Sequence, residues 1–401
     1  MSNRKLKIAF IGCGRILALN ALGYVDNPDT EIYGMCDKKR GKAKKAAEEW
    51  GAKVVYKDYM DVMKDDTVDI VEILTQHKIH TPIAIAACEA GKHVSLQKPP
   101  ALKLSEMDAM ITAAKKHGVK FKVFENFRFH PPYIRAMELI KEGIIGDVYV
   151  VNYRMWSTIR PISSWKVPLM TWKWRIEEAN NYKMPNMFDD GYHKHSIIRM
   201  FLNRPVRSVQ AWAGGYRIYK IIKISDMPAV VIYKTKSSSK YGLWNLSVGP
   251  KLPIQSDYYG CDEFVEIQGS KGIMFINGCT GNMFVGCECG GPGAPGLYWI
   301  DSKGKWHGEC DMETNWKWSF INSTKHFIQA IKNDTEPILS GEKAREILQI
   351  TLAIVKSIRT NSQNIMVKSI VDGIGDLADL PSDEYEIEEE SFEENEGVND
   401  E

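Results

Sequence analysis

Leu6-Lys-Ile-Ala-Phe-Ile-Gly12-Cys-Gly14-Arg15-Ile16 runs from a short apolar segment straight into two closely spaced glycines. Leu6 to Ile11 is rich in β-formers and predicts a buried strand. Arg15 to Gly23 then reads as a helix. In that order, Gly12 takes a tight turn and Gly14 lets the backbone approach a pyrophosphate. The helix start at Arg15 and Ile16 offers N–H groups to the same anion. A second strand, Glu31 to Cys36, ends in Asp37, at about the spacing of a ribose-binding carboxylate. The third glycine position holds Leu17, so helix and strand cannot approach as closely there. The stretch predicts a dinucleotide site.

Composition narrows the partners. The 401 residues suffice for two domains, with 44 % hydrophobic and 26 % charged residues, as in a globular protein. A formal net charge of +1 gives no electrostatic case for nucleic acid or an anionic membrane. No apolar run is long enough to span a bilayer, and no leader pattern opens the sequence. Eight cysteines, among them Cys13, Cys36 and Cys88 inside predicted elements, point to the reducing cytoplasm.

The alternation continues beyond Asp37. Helices are predicted over Lys38 to Trp50, Asp58 to Lys64, His80 to Ala90 and Ser105 to His117. Strands are predicted over Lys53 to Tyr56, Asp69 to Leu74, His93 to Leu96 and Lys120 to Phe124. This rhythm implies a doubly wound parallel sheet, whose ligands lie beyond the carboxyl ends of the strands. The loops so selected are 12–15, Asp37, 75–77, 97–99 and 125–128. After a linking helix at Tyr133 to Glu142 the strands lengthen, from Asp147 to Trp156 through Gly272 to Asn277. Helices interrupt them at Gly191 to Leu202, Ser319 to Asn333 and Gly341 to Thr360. Such a pattern predicts a mostly antiparallel sheet with helices on one face. The expected organisation is a nucleotide-binding domain over 1–128, an α+β substrate and oligomerisation domain over 129–381, and an acidic disordered tail over 382–401.

Chemistry-bearing residues gather in a few places. Lys98, in Ser95-Leu-Gln97-Lys98-Pro99-Pro100, follows a strand end and is flanked by prolines, one of whose bonds can be cis. A lysine there can hydrogen-bond a substrate hydroxyl and stabilise its alkoxide character. Asp189 and His193 stand at i and i+4 if a helix begins near Asp189, so the carboxylate could fix the imidazole as a general base. Asp189 or Asp190 could equally cap that helix, and His195 is a second choice. The stretch from Tyr153 to Arg175 carries Trp156, Trp165, Trp172 and Trp174, which suit either sugar rings or a subunit interface. Cys287 and Cys289, near Cys279, Cys310 and His307, lack the usual zinc spacing and read as free thiols in a glycine-rich loop, so no metal is expected.

These residues together resemble the glucose–fructose oxidoreductase / inositol dehydrogenase (Gfo/Idh/MocA) family. The carriers are Thr75-Gln-His77-Lys-Ile-His80, Ala90-Gly-Lys-His-Val-Ser-Leu-Gln97-Lys98-Pro99, Asn126-Phe-Arg128-Phe-His-Pro131 and Asp189-x-Gly191-x-His193. The resemblance implies that His193 takes a hydroxyl proton, Asp189 orients it or shares the proton, and Lys98 holds the reacting oxygen. It implies a cofactor contact for Thr75, His77, His80, Gln97 and Asn126, and a substrate contact for Arg128, Trp156, Trp174 and Tyr192. Gln97 stands where the family usually has Glu, and Ser196 where many relatives have Asp. Asp37 favours NAD over NADP, because it accepts from a ribose 2′-OH and repels a 2′-phosphate. The expected activity is NAD-dependent oxidation of a ring hydroxyl, at C3, of a sugar or glycoside by a cytoplasmic homo-oligomer. The alternatives are an NAD-retaining glycoside hydrolase working through transient C3 oxidation, and a non-catalytic nucleotide sensor.

Overall fold

A computed structural model describes residues 4–158, 182–218, 222–249, 258, 261–278 and 296–374. Six parallel strands form the first sheet: β1 (Leu6–Ile11), β2 (Thr30–Cys36), β3 (Val54–Tyr56), β4 (Ile70–Ile73), β5 (His93–Gln97) and β6 (Phe121–Phe124). Their order is β3-β2-β1-β4-β5-β6. Helices on both faces bury β1 from Ile8 onward, and Ile8, Ala9 and Phe10 are all 0 % exposed. The helices are α1 (Leu17–Val25), α2 (Arg40–Trp50), α3 (Tyr59–Lys64), α4 (His80–Glu89) and α5 (Leu104–Lys116). The order reverses between β1 and β4, which opens a crevice above Gly12 and Thr75. This is the doubly wound Rossmann arrangement that the opening residues predict.

A linking helix, α6 (Pro131–Lys141), leads to β7 (Val148–Ser157), which lies near the middle of a nine-stranded sheet. That sheet is antiparallel apart from the pairing of β7 with β12 (Tyr241–Val248). Its other long strands are β8 (Ser208–Ala213), β11 (Ala229–Lys234), β13 (Cys261–Gly269) and β14 (Ile273–Asn277), with a two-stranded ribbon, β9 (Tyr216–Ile218) and β10 (Ile222–Ile224), beside them. One face carries Val151, Tyr153, Trp244 and Val265, all at most 1 % exposed, and α7 (Gly191–Leu202) packs on it. Five strands escape a reading by periodicity: the ribbon pair β9 and β10, and β15 (Leu297–Ile300), β16 (Trp306–Glu309) and β17 (Ile365–Met366). They are too short for an alternation to register.

Two late helices return to the first sheet. α8 (Lys317–Lys332) packs on α1, and α9 (Gly341–Arg359) packs on α5, α7 and β8. Backbone N–H of Val123 donates to the Leu339 carbonyl at 3.0 Å, tying the approach to α9 directly to β6. Residues late in the sequence therefore help to build the crevice of the nucleotide-binding sheet. Trp165, Trp172, Trp174, Cys279, Cys287, Cys289 and the acidic tail lie outside the described residues.

Candidate active site

Gly12 has φ +100°, and a Cβ there would lie 2.7 Å from the Leu74 carbonyl oxygen. Only glycine allows β1 to turn this close to the end of β4. A Cβ on Gly14, by contrast, would meet nothing within 4 Å among the described residues, which leave open space above the turn. Asp37 faces the same turn: Cys13 N–H donates to its Oδ2 at 2.9 Å and Lys39 N–H to its Oδ1 at 2.7 Å. Arg15 is exposed, Ile16 precedes α1 without a side-chain cap, and Thr75 Oγ1 is buried without a hydrogen-bond partner among the described residues. An open cradle, an acid held beside it and an orphaned hydroxyl suit a dinucleotide, with Asp37 toward the ribose.

The neighbouring loops are braced by histidines. His80, fully buried, sets Nε2 3.1 Å from the Thr75 carbonyl oxygen and Nδ1 3.2 Å from that of Pro100. Burial pushes its pKa down to about 3, so the ring is neutral and its single N–H donates to one of these two carbonyls while the other nitrogen only lies beside the second. His77 packs edge-on against His80 and Phe188, linking the β4 loop to the segment before α7. Gln97 Oε1 accepts from the Lys98 N–H at 2.9 Å, and the Lys98–Pro99 bond is cis.

Lys98 and Asp189 meet across the crevice. The lysine Nζ donates to Asp189 Oδ1 at 2.9 Å and to the Asp189 carbonyl at 3.0 Å. Asp189 does not open a regular α-helix, because Pro185–Asp190 forms a π-helical segment. Asp226, fully buried, holds its start by accepting from the N–H groups of Asn186 and Met187 at 2.6 and 2.7 Å. α7 then begins at Gly191. A Cβ at that position would lie 2.8 Å from the Asn186 carbonyl oxygen and 2.9 Å from His195 Nε2.

The described partner of His193 Nδ1 is Glu125, whose Oε1 lies 2.7 Å away. The His193 ring also stacks on Phe127, with centroids 4.0 Å apart and planes 9° from parallel. Both ionisable side chains are buried, at 4 % and 3 % exposure. Burial pushes the Glu125 carboxyl up to about 7, against the favourable influence of the Ser196 hydroxyl and the Arg128 charge. This carboxyl comes from the loop after β6. Sequence spacing signals nothing of that pairing, although Glu125 does follow directly on a strand end.

The other expected residues make contacts of their own. Asn126 Nδ2 donates to Ser319 Oγ at 2.6 Å, fastening its loop to α8. Tyr192 donates its hydroxyl to the Ala344 carbonyl at 3.0 Å. It lines, with Glu125, Arg128, Ser196 and Lys343, a recess on the α9 side that includes neither Lys98 nor Asp189. Arg128 and Tyr192 thus share this recess with Glu125, the partner of His193. Alternation along β7 buries Val151, Tyr153 and Met155 against α7 and turns Trp156 to the opposite face. His195 is a structural residue, its Nδ1 2.6 Å from the Tyr233 hydroxyl and its Nε2 2.9 Å from the Met187 carbonyl. Lys194, buried, joins Asp190 and Glu263 at 2.8 Å each; burial opposes its charge, and the two carboxylates outweigh that and raise its pKa.

A family model described as an oxidoreductase family with an NAD-binding Rossmann fold matches residues 6–125. Myo-inositol 2-dehydrogenase of Thermotoga maritima is 25 % identical over 88 % of this chain and 96 % of its own length. D-glucoside 3-dehydrogenase of Escherichia coli is 23 % identical over 90 % of this chain and 98 % of its own length. An uncharacterized oxidoreductase of Streptococcus pneumoniae is 32 % identical over 69 % of this chain and 71 % of its own length.

Proposed function

The chain belongs to the Gfo/Idh/MocA oxidoreductase family, and from that premise we propose that it oxidises a ring hydroxyl of a sugar or glycoside to a ketone with NAD. We infer C3 of a glucoside as the reacting position; the likeness to D-glucoside 3-dehydrogenase supports it. The observation that carries the reading is the two dyads, Lys98 with Asp189 and His193 with Glu125, close enough for the Lys98 charge to act on Glu125. Bound NAD supplies the hydride acceptor. Asp37 and the open turn at Gly14 hold its ribose and pyrophosphate ends.

In this reading Lys98 donates to the reacting oxygen and stabilises the negative charge that grows there. Asp189 keeps the ammonium from turning away. Glu125 accepts from Nδ1–H of His193, which makes Nε2 the basic nitrogen and the one that takes the hydroxyl proton. Phe127 fixes the plane of the ring.

The outer face of the second sheet supports a homo-oligomer. Phe275 and Tyr298 stack there at 5.1 Å, Trp306 joins them at 57 % exposure, and Trp212 is 41 % exposed. A face this apolar is suited to a second copy of the chain. The free Cys13, Cys36 and Cys88 support a reducing, cytoplasmic setting. Among the described residues no helix is long and apolar enough to cross a membrane.

The test is to mix the purified protein and NAD with free sugars, inositols and glucosides, following reduced-nicotinamide absorbance and product mass. A product two hydrogens lighter, formed with reduced cofactor, is the expected result. Released aglycone without oxidised product would overturn the dehydrogenase reading in favour of hydrolysis.

A further inference from the structure

Orienting an imidazole requires only an acceptor at Nδ1, and a backbone carbonyl would serve. Here the acceptor is a carboxyl group with 3 % exposure, in a setting crowded with cations. Lys98 acts on it from the β5 loop and Arg128 from its own loop; Lys343, exposed at the start of α9, lines the same recess. From α7 come His193, Tyr192 and Ser196. Burial penalises a charged carboxylate and a charged imidazolium alike, and the nearby cations favour the first and oppose the second. A carboxyl group that already leans toward its protonated form lies 2.7 Å from the nitrogen that could relieve it.

We propose that Glu125 and His193 hold the substrate proton as one unit: as Nε2 gains the hydroxyl proton, the Nδ1 proton moves to Oε1 of Glu125. The step balances within the reaction proposed above, on which it rests. The carbon–hydrogen bond breaks and its electron pair leaves as hydride to nicotinamide. The oxygen–hydrogen pair becomes the second carbon–oxygen bond. One proton passes to Nε2 and one from Nδ1 to Glu125, leaving a neutral imidazole and a neutral carboxylic acid. Loss of one proton from the pair to solvent, after the ketone departs, restores the starting state. Glu125 is a positioning residue that also stores a proton, and its ionisation selects which form of His193 meets the substrate. Ionised, it leaves Nε2 a base, fit for oxidation; protonated, it donates to Nδ1 and makes Nε2 a donor, fit for ketone reduction.

Infrared difference spectroscopy on the full chain tests this directly, because a buried carboxylic acid has its own carbonyl band. In the cofactor-free protein a pH titration should show that band vanishing with a midpoint near 7. Glu125→Gln should lack it, and Glu125→Asp, which keeps a carboxyl on a shorter arm, should change the band's position or its midpoint. With NAD and an oxidisable sugar, above the midpoint, turnover should make the band reappear in the wild type. Absence of a titrating band that depends on Glu125, or imidazolium signals without the acid band after turnover, would overturn the proposal. If no sugar is oxidised, the titration of the free protein still decides whether the pair exists. Should Glu125→Gln not fold, Glu125→Asp decides in its place: a band or midpoint that moves supports the pair, and one that stays as in the wild type overturns it.

Discussion

Nζ of Lys98 lies 2.9 Å from the Asp189 carboxylate and 3.0 Å from the Asp189 carbonyl, so one residue fixes the ammonium through both its side chain and its backbone. Both side chains keep a modest exposure, 15 % and 12 %, toward the crevice. That arrangement leaves a directed N–H for a third partner. Lys98→Met should lower kcat by roughly 10²–10³-fold, the usual cost of one donor to a developing oxyanion. NAD affinity, read by fluorescence titration, should be unchanged. Near-wild-type turnover would remove Lys98 from the reaction.

Glu125 links stability to pH. Its folded carboxyl titrates near 7 against an ordinary 4.5, so the folded protein holds a proton that the unfolded chain has already lost. Its contribution therefore falls as pH rises through that window and is at its least favourable above about 7. Glu125→Gln cannot ionise, so its stability relative to wild type should grow across the same window. Denaturant midpoints at a series of pH values measure this; a difference that stays constant with pH would contradict it.

Gly191 is required by space and not by backbone freedom, since its φ of −58° suits any residue. An added Cβ would press on the Asn186 carbonyl, His195 and Trp244, at 2.8, 2.9 and 3.0 Å. Gly191→Ala should cost about 1–3 kcal/mol by overpacking. It should also lower kcat more than NAD affinity, because α7 carries His193. Thermal unfolding and steady-state kinetics check both; an unchanged melting temperature would contradict the packing argument.

Local physics explains what was legible in the sequence. A strand, two glycines and a helix are neighbours in the chain, so Gly12, Gly14 and Asp37 could be read together. The i, i+4 spacing of Asp189 and His193 was equally visible, but a π-helical segment held by Asp226, 37 positions beyond Asp189, alters the phase. The partner of His193 lies 68 residues earlier, and only the fold brings Glu125 there. Trp156 shows a different limit. Alternation along β7 was readable, but which face meets α7 depends on a helix more than thirty positions later.

The outer sheet face gives a prediction that does not depend on catalysis. Trp306, at 57 % exposure, lies 6.0 Å from Phe275 in an aromatic row across β14, β15 and β16. Trp306→Glu should shift the protein to smaller species in light scattering coupled to size-exclusion chromatography, with its fold retained. A wild-type monomer, or an unchanged mass for the variant, would contradict a role for this face in assembly.

Hydride transfer from C3 of a glucoside is the claim most directly open to one measurement. The protein would be mixed with NAD and glucosides deuterated singly at C1, C2, C3 or C4, then denatured, and the extracted cofactor weighed. Deuterium in the reduced nicotinamide from the C3-labelled substrate alone is the predicted result. Deuterium arriving from another carbon would contradict the assigned position, and reduced cofactor without label from any of them would contradict hydride transfer from the ring.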